Sequence, residues 1–152
     1  MEPTVFEGLD ALKQAVGTDV GPSEWLEITQ DRVNLFADAT GDHQWIHVDA
    51  EKAAAGPFGG TIAHGYLTLA LMSYLLPQVI RVHGISMGIN YGTNKVRFPA
   101  PVPVGSRLRA RGHIQSVDDV PGGVQIVNLV TIEIEGKAKP ACVAESVSRY
   151  LA

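Results

Sequence analysis

The sequence predicts an α+β domain in which a curved antiparallel sheet surrounds one buried helix. Residues 53–80 form a run of 28 without Asp, Glu, Lys or Arg, and most of this run has a helical, apolar character. The second half of the chain alternates apolar and polar residues with a period of two, which is typical of strands that bury one face. Because the apolar face of a sheet must pack against another element, we expect the uncharged helix to pack against it.

Composition and charge limit the class of protein. The chain has 152 residues, 45% hydrophobic and 18% charged, and these values predict one globular domain over 1–152. The net charge is −4, and the basic residues are not clustered in the sequence. Both observations argue against a nucleic-acid partner, because binding to phosphates requires a basic surface. The single cysteine, Cys142, excludes a disulfide framework and a cysteine-based zinc site, and it favours the reducing cytoplasm.

No targeting or membrane segment is predicted. Acidic residues occur early in the N-terminal stretch, which lacks the apolar run of a signal peptide. The apolar part of the uncharged run, 62–76, is shorter than the roughly 20 residues that a bilayer requires. We therefore expect no membrane span.

The first half of the chain contains the predicted helices. Apolar spacing over 6–16 predicts a short amphipathic helix, so that 1–20 forms a helical N-terminal extension. A short strand follows at 25–28, and Thr29 and Gly41 are the expected caps of a second helix. Residues 42–60 are expected to form an irregular loop. The buried helix should begin at Thr61, end at Pro77 and be enclosed by protein, since it is apolar on almost every side.

About four antiparallel strands are predicted in the second half. The apolar positions are odd over 85–91 but even at Val96 and Phe98, which predicts a bulge or bend near 92–94. Alternation continues through 107–114, 124–134 and 143–150. The turn sequences lie at 118–123 and 135–137.

Asp42 and His47 are the first candidate catalytic pair. They lie in the segment GDHQWIH after the Gly41 cap, where Trp45 and Ile46 can exclude water. A carboxylate and an imidazole at one site can hold a water and transfer its proton. The alternative is structural: Asp42 caps the next turn and His47 packs in the core.

His64 and Gly65 are the second candidate pair, in the segment IAHGYL at the start of the buried helix. Backbone amides in the first turn of a helix are unpaired, and a glycine lets a ligand carbonyl approach them closely. This turn can therefore form an oxyanion hole. Alternatively, Gly65 only permits close packing of the helix on the sheet.

Other chemistries are weakly supported. His43 and His47 have the i, i+4 spacing of metal ligands, but that spacing serves a metal only on a helix, and a loop is predicted here. Cys142 lies in a strand pattern, and the sequence contains no Gly-x-Ser-x-Gly motif. We expect neither a metal nor a covalent nucleophile.

In combination, these motifs resemble a known family. The order is GD-x₄-H, then IAHGYL, then NKVRFPAPVPVG leading into strands, and it is similar to the MaoC-like R-specific enoyl-CoA hydratases and 3-hydroxyacyl-thioester dehydratases. The shorter branch related to the nodulation protein NodN is the most similar. The resemblance covers about 20–150 and implies a hot-dog fold and a homodimer.

The resemblance also implies an activity and residue roles. Asp42 and His47 would activate the water that adds to C3 of a trans-2-enoyl thioester, giving a (3R)-3-hydroxyacyl thioester. The Gly65 amide would hold the thioester oxygen, with His64 beside it. The substrate would be a thioester of coenzyme A or acyl carrier protein, and the reaction requires no cofactor.

One departure from the family pattern concerns the catalytic loop. Gln44 and Trp45 replace the usual Asn-Pro pair, and we expect the bulky Trp45 to narrow the acyl pocket. Basic residues of the strand region are candidates for binding the coenzyme A phosphates, although each could simply be a solvated surface residue. They are Lys95, Arg97, Arg107 and Arg109. Competing functions are a hot-dog acyl-thioesterase and a non-catalytic acyl-binding module.

Overall fold

The computed structural model describes residues 2–152 as eight strands and six helices. The first 83 residues contain all the described helices and four short strands, and long strands follow. In chain order the elements are β1 (Thr4–Glu7), α1 (Leu9–Lys13), β2 (Asp19–Val20), β3 (Leu26–Glu27), α2 (Gln30–Thr40), α3 (Trp45–Val48), α4 (Ala50–Ala54), α5 (Gly65–Ala70), α6 (Met72–Leu75), a 3₁₀ turn (Leu76–Gln78), β4 (Ile80–His83), β5 (Met87–Arg97), β6 (Arg107–Val120), β7 (Gly123–Ile134) and β8 (Cys142–Leu151).

Six strands form one antiparallel sheet with the order β2-β6-β7-β8-β5, and β3 also pairs with β6. The strands β5 to β8 are the four that the alternating pattern predicts. Their pairing is irregular between Asn90 and Gly92 and between Thr93 and Val96, which confirms the predicted bulge in β5. A separate pair, β1 and β4, is parallel.

The inward face of the sheet packs against α5 and α6. Alternate residues of β7 are buried, from Val124 to Ile134, as a half-buried strand requires. From the helices, Leu67, Leu71 and Leu75 enter the same core. The predicted α+β architecture, with a curved sheet around a helical segment, is therefore confirmed.

The helical segment begins later than predicted. We expected the buried helix to start at Thr61, but α5 starts at Gly65. Residues 61–63 are extended because their backbone groups pair with other segments: Ile62 N–H donates to Ile46 and Ala63 N–H to Val102. Long-range pairing of this kind overrides a local helical preference.

The helical segment is also less enclosed than its composition indicates. Leu67 and Leu75 are buried, but the side chains of Tyr66 and Tyr74 are 75% and 57% exposed. In the single chain the sheet covers only one face of this helix, and enclosure of the other face by a second protomer stays a prediction.

The N-terminal region differs from the predicted helical extension. Its helix, α1, covers only Leu9–Lys13, and Thr4–Glu7 forms a strand because it pairs with β4. Leu12 is fully buried in a second core cluster, so this region packs into the domain. The caps of α2 are confirmed: Thr29 accepts the Arg32 N–H, and Gly41 is left-handed with φ 79°. No helix in the described part of the chain is long and apolar enough to cross a membrane.

Candidate active site

Asp42 directly follows the left-handed Gly41 that ends α2. Its Oδ1 accepts the backbone N–H of Gln44 at 3.3 Å, a local bond that fixes the direction of the carboxylate. The side chain remains 52% exposed. The second oxygen, Oδ2, is thereby directed toward the imidazole of His47.

His47 lies in α3, although the sequence predicts an irregular loop over 42–60. The two short helices α3 and α4 form there, and the Asp49 side chain caps the second by accepting the Lys52 N–H. The His47 side chain is 8% exposed. Its Nδ1 lies 2.7 Å from the carbonyl oxygen of Ile62. Because a carbonyl only accepts, Nδ1 carries the proton, and in the neutral ring Nε2 carries the lone pair.

The distance from His47 Nε2 to Asp42 Oδ2 is 4.0 Å. This separation is too long for a direct hydrogen bond but suits one intervening water. A water with hydrogen bonds of about 2.8 Å to both atoms would subtend an angle of about 90° between them, which water can adopt. Both protein atoms accept, so the water would donate both protons and direct its oxygen lone pairs away from the dyad.

His64 contacts both members of this pair. Its ring stacks on that of His47 with centroids 3.8 Å apart, and its Nε2 donates to the Asp42 carbonyl oxygen at 3.0 Å. Phe36 packs edge-on against its other side. Since its N–H is used by Asp42 and its buried Nδ1 has no partner among the described residues, the neutral ring cannot donate to a thioester oxygen. The contacts of His64 in this structure are therefore with the Asp42 backbone and the His47 ring, and its expected oxyanion role stays a prediction.

Gly65 opens α5 directly after His64. A Cβ at this position would lie 3.3 Å from the ring of Phe98, which is tighter than an ordinary contact. The absence of a side chain therefore permits close packing, as the structural explanation of this glycine requires. The backbone amides of the first turn have no acceptor within the helix, so an oxyanion hole at the same position is compatible with that packing.

Gln30 and Thr61 hold the His47 turn in place. Thr61 Oγ1 donates to Gln30 Oε1 at 2.6 Å, and Gln30 Nε2 donates to the backbone carbonyl of His47 at 2.8 Å. The sequence does not predict this clamp, because Gln30 stands at an ordinary first position of a helix and Thr61 was expected to begin a different helix. No motif signals a bond between residues this far apart.

The cluster of Asp42, His47 and His64 has ligand atoms within 4.8 Å of one another. The two imidazoles are inclined by only 24°. An imidazole binds a metal through a lone pair in its own plane. Nearly parallel stacked rings cannot both direct their lone pairs at one ion, so this arrangement favours hydrogen bonding over metal coordination.

A cavity of about 640 Å³ lies between the helical segment and the sheet. Tyr66, which follows Gly65, lines its near end, and Leu76 lies farther along the helices. The sheet side is formed by residues of β5, β7 and β8 that include Ile126, Asn128 and Ser146. The cavity thus extends from the Gly65 turn along the helical segment.

Comparison with known proteins identifies the family of this chain. The family model described as MaoC like domain matches residues 11–135. This chain belongs to the MaoC-like family. It is 62% identical over 148 residues to the 3-hydroxyacyl-thioester dehydratase Z of Mycobacterium tuberculosis, covering 97% of this chain and 98% of that protein. It is 44% identical to the nodulation protein N of Rhizobium meliloti, covering 92% and 89%. Among solved structures, the (R)-hydratase from A. caviae superposes with a TM-score of 0.71 at 26% identity, covering 88% and 94%.

The residues that depart from the family loop lie outside the cavity in this MaoC-like domain. Gln44 is exposed at the start of α3 and contributes its backbone N–H to Asp42. The Trp45 ring packs on Gly56, with the Lys52 ammonium 4.8 Å from its centroid. Trp45 is not among the described residues that line the 640 Å³ cavity, and its expected effect on an acyl pocket stays a prediction.

The four basic candidates of the MaoC-like domain divide into two pairs. Arg107 and Arg109 form ion pairs with Glu135 and Glu133, and both guanidinium groups lie over the Trp25 ring. Among the described residues, Lys95 and Arg97 have no acidic partner within ion-pair distance. They line a smaller cavity together with Leu129, Val143 and Glu145. Unlike Arg107 and Arg109, these two cations are therefore not paired with a carboxylate among the described residues, and Arg97 Nη1 donates to the Val96 carbonyl.

Proposed function

We propose that this chain catalyses the reversible hydration of trans-2-enoyl thioesters to (3R)-3-hydroxyacyl thioesters. The observation that carries the proposal is the 4.0 Å gap between Asp42 Oδ2 and His47 Nε2, which suits one water held by two acceptors. The 62% identity to a 3-hydroxyacyl-thioester dehydratase over almost the whole of both chains supports it.

In the hydration direction, the dyad begins as a carboxylate and a neutral imidazole. The water gives one proton to the dyad while its oxygen bonds to C3 of the substrate. The same dyad then returns one proton to C2, so that one water is added and both residues regain their starting state. Dehydration follows the reverse steps, and neither direction requires an external acid.

Negative charge develops on the thioester oxygen as the C3–O bond forms. The Gly65 N–H is suited to stabilise it, since this amide is at the start of α5 and carries no side chain that would block the approach. His64 lies behind the dyad, where it fixes the Asp42 backbone and the His47 ring. We assign it a positioning role.

The acyl chain would occupy the cavity along the helical segment, because this cavity begins next to the Gly65 turn and its helix side is largely apolar. Lys95 and Arg97 are the proposed contacts for the phosphates of coenzyme A, or for those of an acyl carrier protein thioester. Cys142 is buried and unpaired, in agreement with a reducing compartment, and we place the enzyme in the cytoplasm.

We further propose a homodimer that forms through β5. This strand ends the sheet order, and its unpaired edge is available to another chain. Large apolar side chains are exposed along it and on the adjoining helical segment, which is typical of an interface. They are Met87, Ile89, Tyr91, Tyr66 and Tyr74. Light scattering should give twice the chain mass, and Ile89→Glu should shift the protein toward the monomer.

A crotonyl-CoA assay tests the proposed activity. Hydration removes the enoyl absorbance without releasing free thiol, and we expect this result with purified protein. Thiol release would instead indicate a thioesterase. Absence of both signals over several acyl chain lengths would contradict catalysis and favour a binding module.

A further inference from the structure

Asn128 interrupts the apolar inner face of the sheet. It lies between Ile126 and Val130 on β7, at a position where the strand pattern calls for an apolar residue. Only 5% of its surface is exposed, and its Oδ1 has no hydrogen-bond partner in residues 2–152. A buried polar atom without a partner is unfavourable, so its presence in the core requires an explanation.

The neighbouring strands accommodate the carboxamide of Asn128. On one side, a Cβ at Gly112 would come within 2.6 Å of Oδ1, so the glycine leaves the space that the amide occupies. On the other side, Ser146 is the cross-strand partner of Asn128 and is itself 8% exposed. Two hydrogen-bonding side chains therefore stand together on the inner face of an otherwise apolar sheet.

Both side chains line the 640 Å³ cavity that begins at the Gly65 turn. Opposite them are apolar residues of the helical segment, which include Leu69, Met72 and Leu76. None of the described residues that line this cavity is charged. An ionised ligand group would lack a counter-charge here, whereas a neutral hydrogen-bonding group would find partners.

We propose that the acyl chain of the preferred substrate carries a hydroxyl group beyond the reacting double bond, and that Asn128 binds this hydroxyl. The proposal rests on the proposed hydratase function, because that function puts an acyl chain in the cavity. A hydroxyl both donates and accepts, so it is a suitable partner for a carboxamide and for the Ser146 hydroxyl. A plain alkyl chain would fill the apolar side but leave the Asn128 amide unpaired.

The test compares two series of trans-2-enoyl-CoA thioesters of matched medium length, one with a terminal hydroxyl and one without. For at least one chain length, we expect kcat/KM to be about tenfold or more higher with the hydroxyl, since a site built for a hydroxyl rejects the analogue without it. Asn128→Leu should abolish this preference, with circular dichroism as the check that the variant folds. Ser73→Ala, on the helix side of the same cavity, is the matched control and should retain the preference.

Calorimetry on the wild-type protein gives a second measurement that depends neither on a variant nor on turnover. Saturated acyl-CoA thioesters that bear a terminal hydroxyl should bind more tightly than their plain counterparts. Equal or weaker binding, equal kcat/KM across the enoyl series, or a preference that Asn128→Leu retains would overturn the proposal. Failure to hydrate any thioester, crotonyl-CoA included, would instead overturn the proposed function, and calorimetry would still decide the role of Asn128.

Discussion

The imidazole rings of His47 and His64 stack with their centroids 3.8 Å apart. The same His64 ring donates a hydrogen bond to the backbone of Asp42, 22 positions earlier in the chain. One buried side chain therefore connects both members of the proposed dyad with the start of α5. This contact sets the position of the dyad relative to the Gly65 amide, because His64 and Gly65 are adjacent in the chain.

Substitution of either dyad member should abolish most of the activity. We expect Asp42→Asn and His47→Gln each to lower kcat by about 10²- to 10⁴-fold, since each removes an acceptor for the water proton. The measurement is the rate of crotonyl-CoA hydration, with circular dichroism as a check on folding. Rates close to wild type in either variant would refute the dyad.

His43 provides the matched control for these variants. It lies between the two dyad members in sequence, but its exposed ring pairs with Asp38 at 2.8 Å. Hydrogen bonding to this carboxylate raises the pKa of His43. His43→Gln should leave kcat unchanged because the ring hydrogen-bonds to Asp38 and not to either dyad member, and a large loss of kcat would place His43 in the mechanism.

The positioning role of His64 predicts a selective effect on turnover. His64→Phe keeps a stacking ring but cannot donate to the Asp42 carbonyl, so the carboxylate should shift and kcat should fall by about 10- to 100-fold. KM for crotonyl-CoA should change little, because His64 is behind the dyad. His64→Gln, which retains a donor, should recover part of the lost kcat. Equal losses of kcat in the two variants would argue against the hydrogen bond as the cause.

The Gln30–Thr61 clamp should contribute to the free energy of unfolding. Gln30→Leu leaves the His47 carbonyl and the Thr61 hydroxyl without their partner, which should cost about 1–3 kcal/mol of unfolding free energy. Chemical denaturation measures this loss. Asn34→Ala removes only the exposed bond from Gln30 to Asn34 and should be nearly neutral. If both variants lose equal stability, the buried part of the clamp is not the cause.

Cys142 predicts how the protein responds to alkaline pH. Burial raises the pKa of its thiol from 9.0 to about 11. The folded state therefore favours the protonated thiol. The contribution of this thiol to the free energy of unfolding is complete below pH 9.0 and declines as the pH rises to about 11. This decline amounts to about 2–3 kcal/mol at 1.36 kcal/mol per pH unit. Cys142→Ala should lose less stability than wild type over this interval, as measured by denaturation at a series of pH values.

The same burial predicts low reactivity of the cysteine. Native protein should resist iodoacetamide at pH 8, because thiolate is scarce and the side chain is 1% exposed. Hydration activity should survive this treatment. Rapid alkylation with loss of activity would contradict the assigned site.

Sequence alone determined the elements that local chemistry specifies. The alternation in β6, β7 and β8 predicted their buried face, and Thr29 and Gly41 marked the ends of α2, because strand periodicity and helix capping depend on neighbouring residues. The GD-x₄-H and IAHGYL motifs likewise predicted Asp42, His47 and Gly65 as candidate site residues, and the structure places the side chains of Asp42 and His47 4.0 Å apart. The candidates for the reacting groups could therefore be named before the fold was known.

The tertiary structure decided features that depend on distant backbone groups. The helical segment begins at Gly65 because 62–63 pair with Ile46 and Val102. The positioning role proposed for His64 rests on its hydrogen bond to the Asp42 carbonyl, which no sequence motif predicts. The clamp at Gln30 likewise joins residues that have no sequence signature. The position of Asn128 in the cavity also depends on tertiary packing. The alternation along β7 predicts that its side chain points inward, but only the packing of the helical segment shows that it lines a cavity. Local patterns specify elements and reacting groups, whereas contacts between distant segments specify their geometry.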